Sequence, residues 1–183
     1  MAMREELFMA GIGGQGVNLA GQLIARAGMN VGLGVSWFPI YSPEVRGGSS
    51  TCTIVLTDGR IGSPTSERPT SMVLMDPSAV RTFADRLSEG GLMVVNSSLL
   101  REPIDFPQYR LIEVPANEIA AEIGNDRTIN MALIGAWAAG TEIMSVADVA
   151  VALREMLPER HHVHMPDNET ALQRGAEIAR AVQ

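Results

Sequence analysis

Two short segments carry residue types whose spacing suits ligand chemistry. The first, Gly11-Ile12-Gly13-Gly14-Gln15-Gly16, follows an apolar run and precedes helical periodicity. It satisfies G-x-G-x-x-G at Gly11, Gly13 and Gly16. Glycines there let the backbone turn tightly and approach an anion, while the helix start offers free amides and the positive end of a dipole. A dinucleotide site of this type also wants a carboxylate about 20 residues on. Residues 30–37 contain none, and the nearest acid, Glu44, falls in a different loop. The motif therefore reads either as an anion-contacting turn or as a tight strand–helix turn without a ligand. The second segment is Tyr41-Ser42-Pro43-Glu44-Val45-Arg46-Gly47-Gly48. Pro43 stiffens it, Glu44 and Arg46 set opposite charges two residues apart, and Gly47-Gly48 admits close approach by another chain. It is either a solvated surface turn or a functional loop in which Arg46 anchors a carboxylate or phosphate. The second reading puts it at the same sheet edge as the glycine loop.

Composition narrows the chemistry. All 14 basic residues among the 183 are Arg. Without Lys there is no Schiff base, no pyridoxal-phosphate attachment and no Walker-A lysine. The formal charge of -7 and the absence of a basic cluster argue against nucleic acid. The one cysteine, Cys52, excludes an intrachain disulfide, and it excludes an iron–sulfur cluster ligated by this chain alone. It also suits a reducing compartment, which with the lack of a signal peptide or membrane-length apolar run predicts a cytoplasmic location away from the membrane. Only 19% of residues are charged, which hints that partners cover part of the surface.

The elements that must position the two loops follow from periodicity and turn signals. Leu7–Ala10 reads as a buried first strand, and a helix should run from near Gly16 to near Gly28. Val35–Tyr41 and Ser50–Thr57 read as strands, the latter ending in an Asp58-Gly59 hairpin with a brief return at Arg60-Ile61. Ser71–Met75 is a further strand, and Asp76-Pro77 opens a helix that should end at Gly90-Gly91. Strands at Leu92–Val95 and Leu111–Val114 follow. Helices are expected at Pro115–Ile123, at Thr128–Thr141 (apolar on nearly every face), at Ser145–Leu157 and at Asn168–Val182. The fold class is α/β: a three-layer α/β/α sandwich on a mixed, mostly parallel sheet, with a Rossmann-like first strand–loop–helix. Residues 1–183 make a single domain.

Taken in order, G-x-G-G-Q-G, a helix, an aromatic strand, Y-x-P-E-x-R-G-G and a Thr-rich strand around Cys52 closely resemble the gamma subunit, or gamma domain, of 2-oxoacid:ferredoxin oxidoreductases. These are the pyruvate, 2-ketoisovalerate, 2-oxoglutarate and indolepyruvate enzymes. Ile61-Gly62-Ser63-Pro64, Gly90-Gly91, Asn96-Ser97-Ser98, Pro115 to Ala120, Asn130-Met131 and the stretch from Asn168-Glu169 to Gly175 extend the likeness over nearly the whole chain. Ser42 stands where many relatives have Gly. The resemblance implies a subunit that is incomplete as an enzyme alone. Thiamine diphosphate would sit in alpha and beta partner subunits, iron–sulfur clusters on a ferredoxin-like delta subunit, and no cofactor on this chain by itself. The complex would decarboxylate a 2-oxoacid oxidatively to an acyl-CoA and pass electrons to ferredoxin. Gly11, Gly13, Gly14, Gln15 and Gly16, with Tyr41, Pro43, Glu44, Arg46, Gly47 and Gly48, are carried over as contacts on the coenzyme A side, with coenzyme A as ligand. No catalytic residue and no metal ligand is assigned. In isolation the chain would be a homodimer.

Other features are weighed against plainer readings. His161, His162 and His164 could ligate a metal but read better as a solvated loop. Cys52, between threonines on a buried strand, reads as a packed, inert thiol. Met72, Met75 and Met131 read as core. Trp37 and Phe38 fit an interface anchor and sheet core equally. Two alternatives to the subunit remain: a free-standing NAD(P)-type nucleotide-binding protein, and a diverged scaffold that kept the glycine loop.

Overall fold

The computed structural model describes residues 3–41 and 48–182, and for Tyr41 the backbone alone. Six strands form one sheet: β1 (Arg4–Ile12), β2 (Gly34–Tyr41), β3 (Ser49–Thr57), β4 (Ser71–Leu74), β5 (Leu92–Asn96) and β6 (Arg110–Val114). Their order across the sheet is β2-β3-β1-β4-β5-β6. The pairs β1/β4, β4/β5 and β5/β6 are parallel, whereas β3 is antiparallel to both β1 and β2. The sheet is thus mixed, as expected, but for a different reason. Residues 58–70 form no return strand at Arg60-Ile61. The Asp58 amide is bonded to the Met3 carbonyl and Thr57 Oγ1 takes the Gly59 amide, so the chain leaves β3 and crosses to begin β4 on the far side of β1. The antiparallel pair that exists is β2–β3.

The helices are α1 (Val17–Asn30), α2 (Pro77–Phe83), α3 (Ala116–Ile123), α4 (Ile129–Thr141), α5 (Val146–Met156) and α6 (Met165–Ala181). Leu7, Met9, Ile54, Leu56, Val73, Val94 and Ile112 point to one sheet face, where α1 and α3 to α6 build the main core. Phe8, Ala10, Met72, Leu74, Met93 and Val95 point to the other face, which among the helices only α2 covers. The sandwich therefore has three layers of unequal weight.

Several boundaries differ from expectation. The first strand reaches Ile12, and α1 runs two residues past Gly28 before Gly32 (φ +85°) turns the chain. After α2 a 3₁₀ turn at Ala84–Arg86 replaces the helix expected to continue towards Gly90. The last helix starts at Met165, because Pro166 suits a first turn. Asp76 caps α2 as expected: its Oδ1 accepts from the Ser78 and Ala79 amides. Ser145 and Asp148 form a reciprocal capping box on α5.

Candidate functional site

The glycine loop lies at the C-terminal edge of the parallel strands. Gly11, next to the end of β1, lies opposite Ser50 of β3. The turn is held by the Ile12 amide donating to Gln15 Oε1 at 2.9 Å and the Gln15 amide donating to the Ile12 carbonyl at 3.2 Å. Gln15 Nε2 reaches the Met75 carbonyl at 3.5 Å. The Gln15 side chain is thereby engaged inside the turn. Gly14 (φ +101°) and Gly16 (φ +77°) adopt the left-handed conformation that side chains resist. Gly16 is also the N-cap of α1, and no side chain caps that helix. The positive end of the α1 dipole and its first-turn amides thus border the loop.

The two loops meet. The Gly13 amide donates to the Gly48 carbonyl at 3.0 Å, tying the glycine turn to the last residue of the second loop. Beside this bond opens a cleft of about 350 Å³, lined by Gly13, Gly14, Gly16, Asn18, Gly48 and Ser50 among others. Asn18 Nδ2 donates to Ser50 Oγ at 3.1 Å across it. Tyr41 ends β2 beside Ser50. Pro43, Glu44, Arg46 and Gly47, the other candidates of the second loop, lie outside the described residues, as does Ser42.

A larger crevice of about 750 Å³ opens on the other side of Ile12, lined by Asp76, Arg81, Leu99 and Ile104 among others. It falls where the connections after β1 and β4 leave for opposite faces of the sheet, the place where open α/β sheets gather ligands. Polar groups that the sequence reading did not assign to a site cluster along this edge. Asn96 Nδ2 donates to Asn117 Oδ1 at 2.8 Å, and Oδ2 of Asp76 and Oδ1 of Asn96 are buried without a partner. The signal for a site role was position: Asn96 ends β5, and Asp76 follows β4 by two residues.

The structure also sorts the features weighed in the sequence. Cys52 is buried, and desolvation pushes its thiol up to about 12, so at neutral pH it stays protonated and inert. Met72, Met75 and Met131 are core. Trp37 packs against the main core, whereas Phe38, on the opposite face of the edge strand, is 45% exposed. His162 Nε2 meets the Arg154 and Leu157 carbonyls, and among the described residues no three His, Cys, Asp or Glu side chains are grouped to hold a metal. Among those residues no helix is long and apolar enough to cross a membrane. The Rossmann likeness stops at the first strand–loop–helix. β2 lies at the sheet edge beside β3 and not next to β1, so the strand end that would carry a ribose-reading acid is elsewhere.

A family model described as pyruvate ferredoxin/flavodoxin oxidoreductase matches residues 6–178. The ketoisovalerate oxidoreductase subunit VorA of Methanothermobacter marburgensis is 38% identical over 130 residues, covering 69% of this chain. The chain spans only 26% of that relative's length. The 2-oxoglutarate synthase subunit KorC of the same organism is 35% identical over 163 residues, 85% of this chain and 88% of the relative. Among solved structures, a keto/oxoacid ferredoxin oxidoreductase gamma subunit from Geobacter sulfurreducens superposes with a TM-score of 0.85 at 27% identity, covering 99% of each chain. The 2-oxoglutarate:ferredoxin oxidoreductase of Magnetococcus marinus, with 2-oxoglutarate, coenzyme A and succinyl-CoA bound, superposes with a TM-score of 0.88 at 21% identity. That match covers 97% of this chain and 31% of the other, and it is a likeness of fold.

Proposed function

This chain belongs to the pyruvate ferredoxin/flavodoxin oxidoreductase family, and from that membership we propose that it works as the gamma subunit of a thiamine-diphosphate-dependent 2-oxoacid:ferredoxin oxidoreductase. The complex converts a 2-oxoacid to an acyl-CoA with loss of carbon dioxide and passes the electrons to ferredoxin. Thiamine diphosphate in partner chains supplies the electron sink for decarboxylation, and iron–sulfur clusters carry the electrons away. A single cysteine, buried and protonated, cannot ligate a cluster, so the clusters belong to partners, and thiamine diphosphate is assigned to partners with them. This chain's share is on the coenzyme A side.

The observation that carries this reading is the Gly13–Gly48 bond. It ties the glycine turn to Gly48 beside the uncapped start of α1, next to a cleft walled in part by glycine backbone. Backbone amides and a helix dipole suit the phosphate groups of coenzyme A. Gly13, Gly14 and Gly16 admit close approach, and Glu44 and Arg46 in the adjoining loop orient the ligand. Arg46, as a guanidinium, pairs with phosphate in a way Lys would not reproduce.

The test is Arg46→Ala in the assembled complex. It should raise the KM for coenzyme A or lower turnover, while the chain still folds and assembles. Unchanged kinetics with assembly intact would remove Arg46 from the site.

A further inference from the structure

A third, smaller cavity lies near the glycine turn, with Asn130 in its wall. It has a volume of about 240 Å³ and lies among the starts of α1, α4 and α6, the end of α5 and the 3₁₀ turn at Glu159–His164. Leu19, Met131, Leu153 and Leu157 form apolar walls. The charged or chargeable groups that line it are Arg127, His161 and His164, with no carboxylate among them. The Arg127 guanidinium makes no ion pair among the described residues, and its backbone amide is fixed on Asn125 Oδ1. Helix α4 begins here behind Thr128, continuing a 3₁₀ turn at Asp126–Thr128 that Asn125 caps, so the positive end of the combined helix borders the cavity.

The observation that points to an occupant is Asn130. This side chain lines the cavity, is 6% exposed, and leaves Oδ1 buried without a hydrogen-bond partner. Buried amides are almost always satisfied, so an orphaned one in a cavity wall marks a missing polar contact. The two ends of an Asn amide exchange by a half-turn of its terminal torsion, so Asn130 can offer either a carbonyl or an N–H to an occupant. Its Nδ2 lies 2.5 Å from where a Cβ on Gly16 would stand, so the amide is wedged between the cavity and the glycine turn. Asn168, on the α6 side, is fixed by its Nδ2 donating to the His164 carbonyl at 2.7 Å.

We propose that this cavity is a binding site for a small aliphatic carboxylate. The carboxylate faces Arg127 and the start of α4, the Asn130 amide donates to it, and the hydrocarbon body lies against Leu19, Met131, Leu153 and Leu157. The volume is below the roughly 300 to 1,000 Å³ of pockets for drug-sized ligands, which suits a ligand of a few heavy atoms better than a nucleotide. The apolar walls select against a bare inorganic anion, and the absence of any lining carboxylate selects against a cation. This site is separate from the coenzyme A reading and does not depend on it.

The test uses the full chain with methyl-labelled methionines, read by NMR at Met131, whose signal is assigned with Met131→Leu. Butyrate is titrated, with 1-butanol and inorganic phosphate as comparison probes. Butyrate should move the Met131 signal saturably with a Kd of about 1 mM. Butanol and phosphate should bind about tenfold more weakly or not at all. Arg127→Gln should weaken butyrate by about tenfold and leave the remaining methionine signals in place. Leu157→Trp, which fills the cavity, should abolish the response. The proposal is overturned if butyrate leaves Met131 unmoved, if butanol matches butyrate, if phosphate matches butyrate, or if Arg127→Gln binds as the parent does.

Discussion

Ser71 joins half-buried Glu5 and buried Trp137 at the end of the sheet opposite the loops. It donates to the Glu5 carboxylate and accepts from Trp137 Nε1 at 2.8 Å. Burial, opposed by the hydrogen bonds from Ser71 and Thr70, raises the Glu5 pKa above its ordinary value. A carboxyl whose folded pKa is raised binds its proton more tightly in the native state than in the unfolded chain. Its contribution is therefore fully present below the ordinary carboxyl pKa and is lost as pH rises through the folded pKa. Glu5→Gln keeps a polar group beside Ser71 and removes the charge. It should raise the melting temperature at about pH 8 and change it little at about pH 4. Thermal melts at the two pH values check this; an equal difference at both would contradict it. At this scale the sequence was legible where residues act in a contiguous run. The glycine turn, Asp76 as a cap and Cys52 as an inert thiol could all be read from neighbours. Asn130 beneath Gly16 could not, because the two meet only through packing of helices more than a hundred residues apart.

Helices α4 and α6 cross with their backbones in near contact. A Cβ on Gly135 would lie 1.9 Å from the Leu172 carbonyl oxygen, and one on Gly175 would lie 1.8 Å from that of Ala132. Backbone cannot yield as a flexible side chain can, so each glycine is required by close approach. Gly135→Ala should therefore cost about 3 kcal/mol despite its better helix propensity. A denaturant midpoint equal to that of the parent chain would contradict the crossing. Such a crossing appears in sequence only as an all-round apolar helix, which is why Thr128–Thr141 was read as buried but its partner was not. Strand positions were legible from β-branched runs, and the Asp58-Gly59 hairpin was not borne out. Asp-Gly does mark a turn, yet the next apolar residues are too few to pair, and β3 already has β1 and β2 as neighbours.

The whole molecule is asymmetric. One sheet face carries five helices, the other α2 and loops, and on that thinner side Phe38 and Ile40 of the edge strand are 45% and 53% exposed. Pro39 between them lacks the amide that would invite another strand, so this edge is blunted as a pairing template. In VorA the matching region makes up 26% of the chain, and other parts of the same protein are present beside it. Both facts accord with a chain that functions in an assembly, and that is the central claim. The measurement that tests it most directly is anaerobic purification from the native extract, with intact masses taken of every chain that co-elutes. The account predicts thiamine-binding chains and a brown iron–sulfur chain in fixed ratio to this one. Elution alone, or as a homo-oligomer, from an extract in which those chains are present would contradict it.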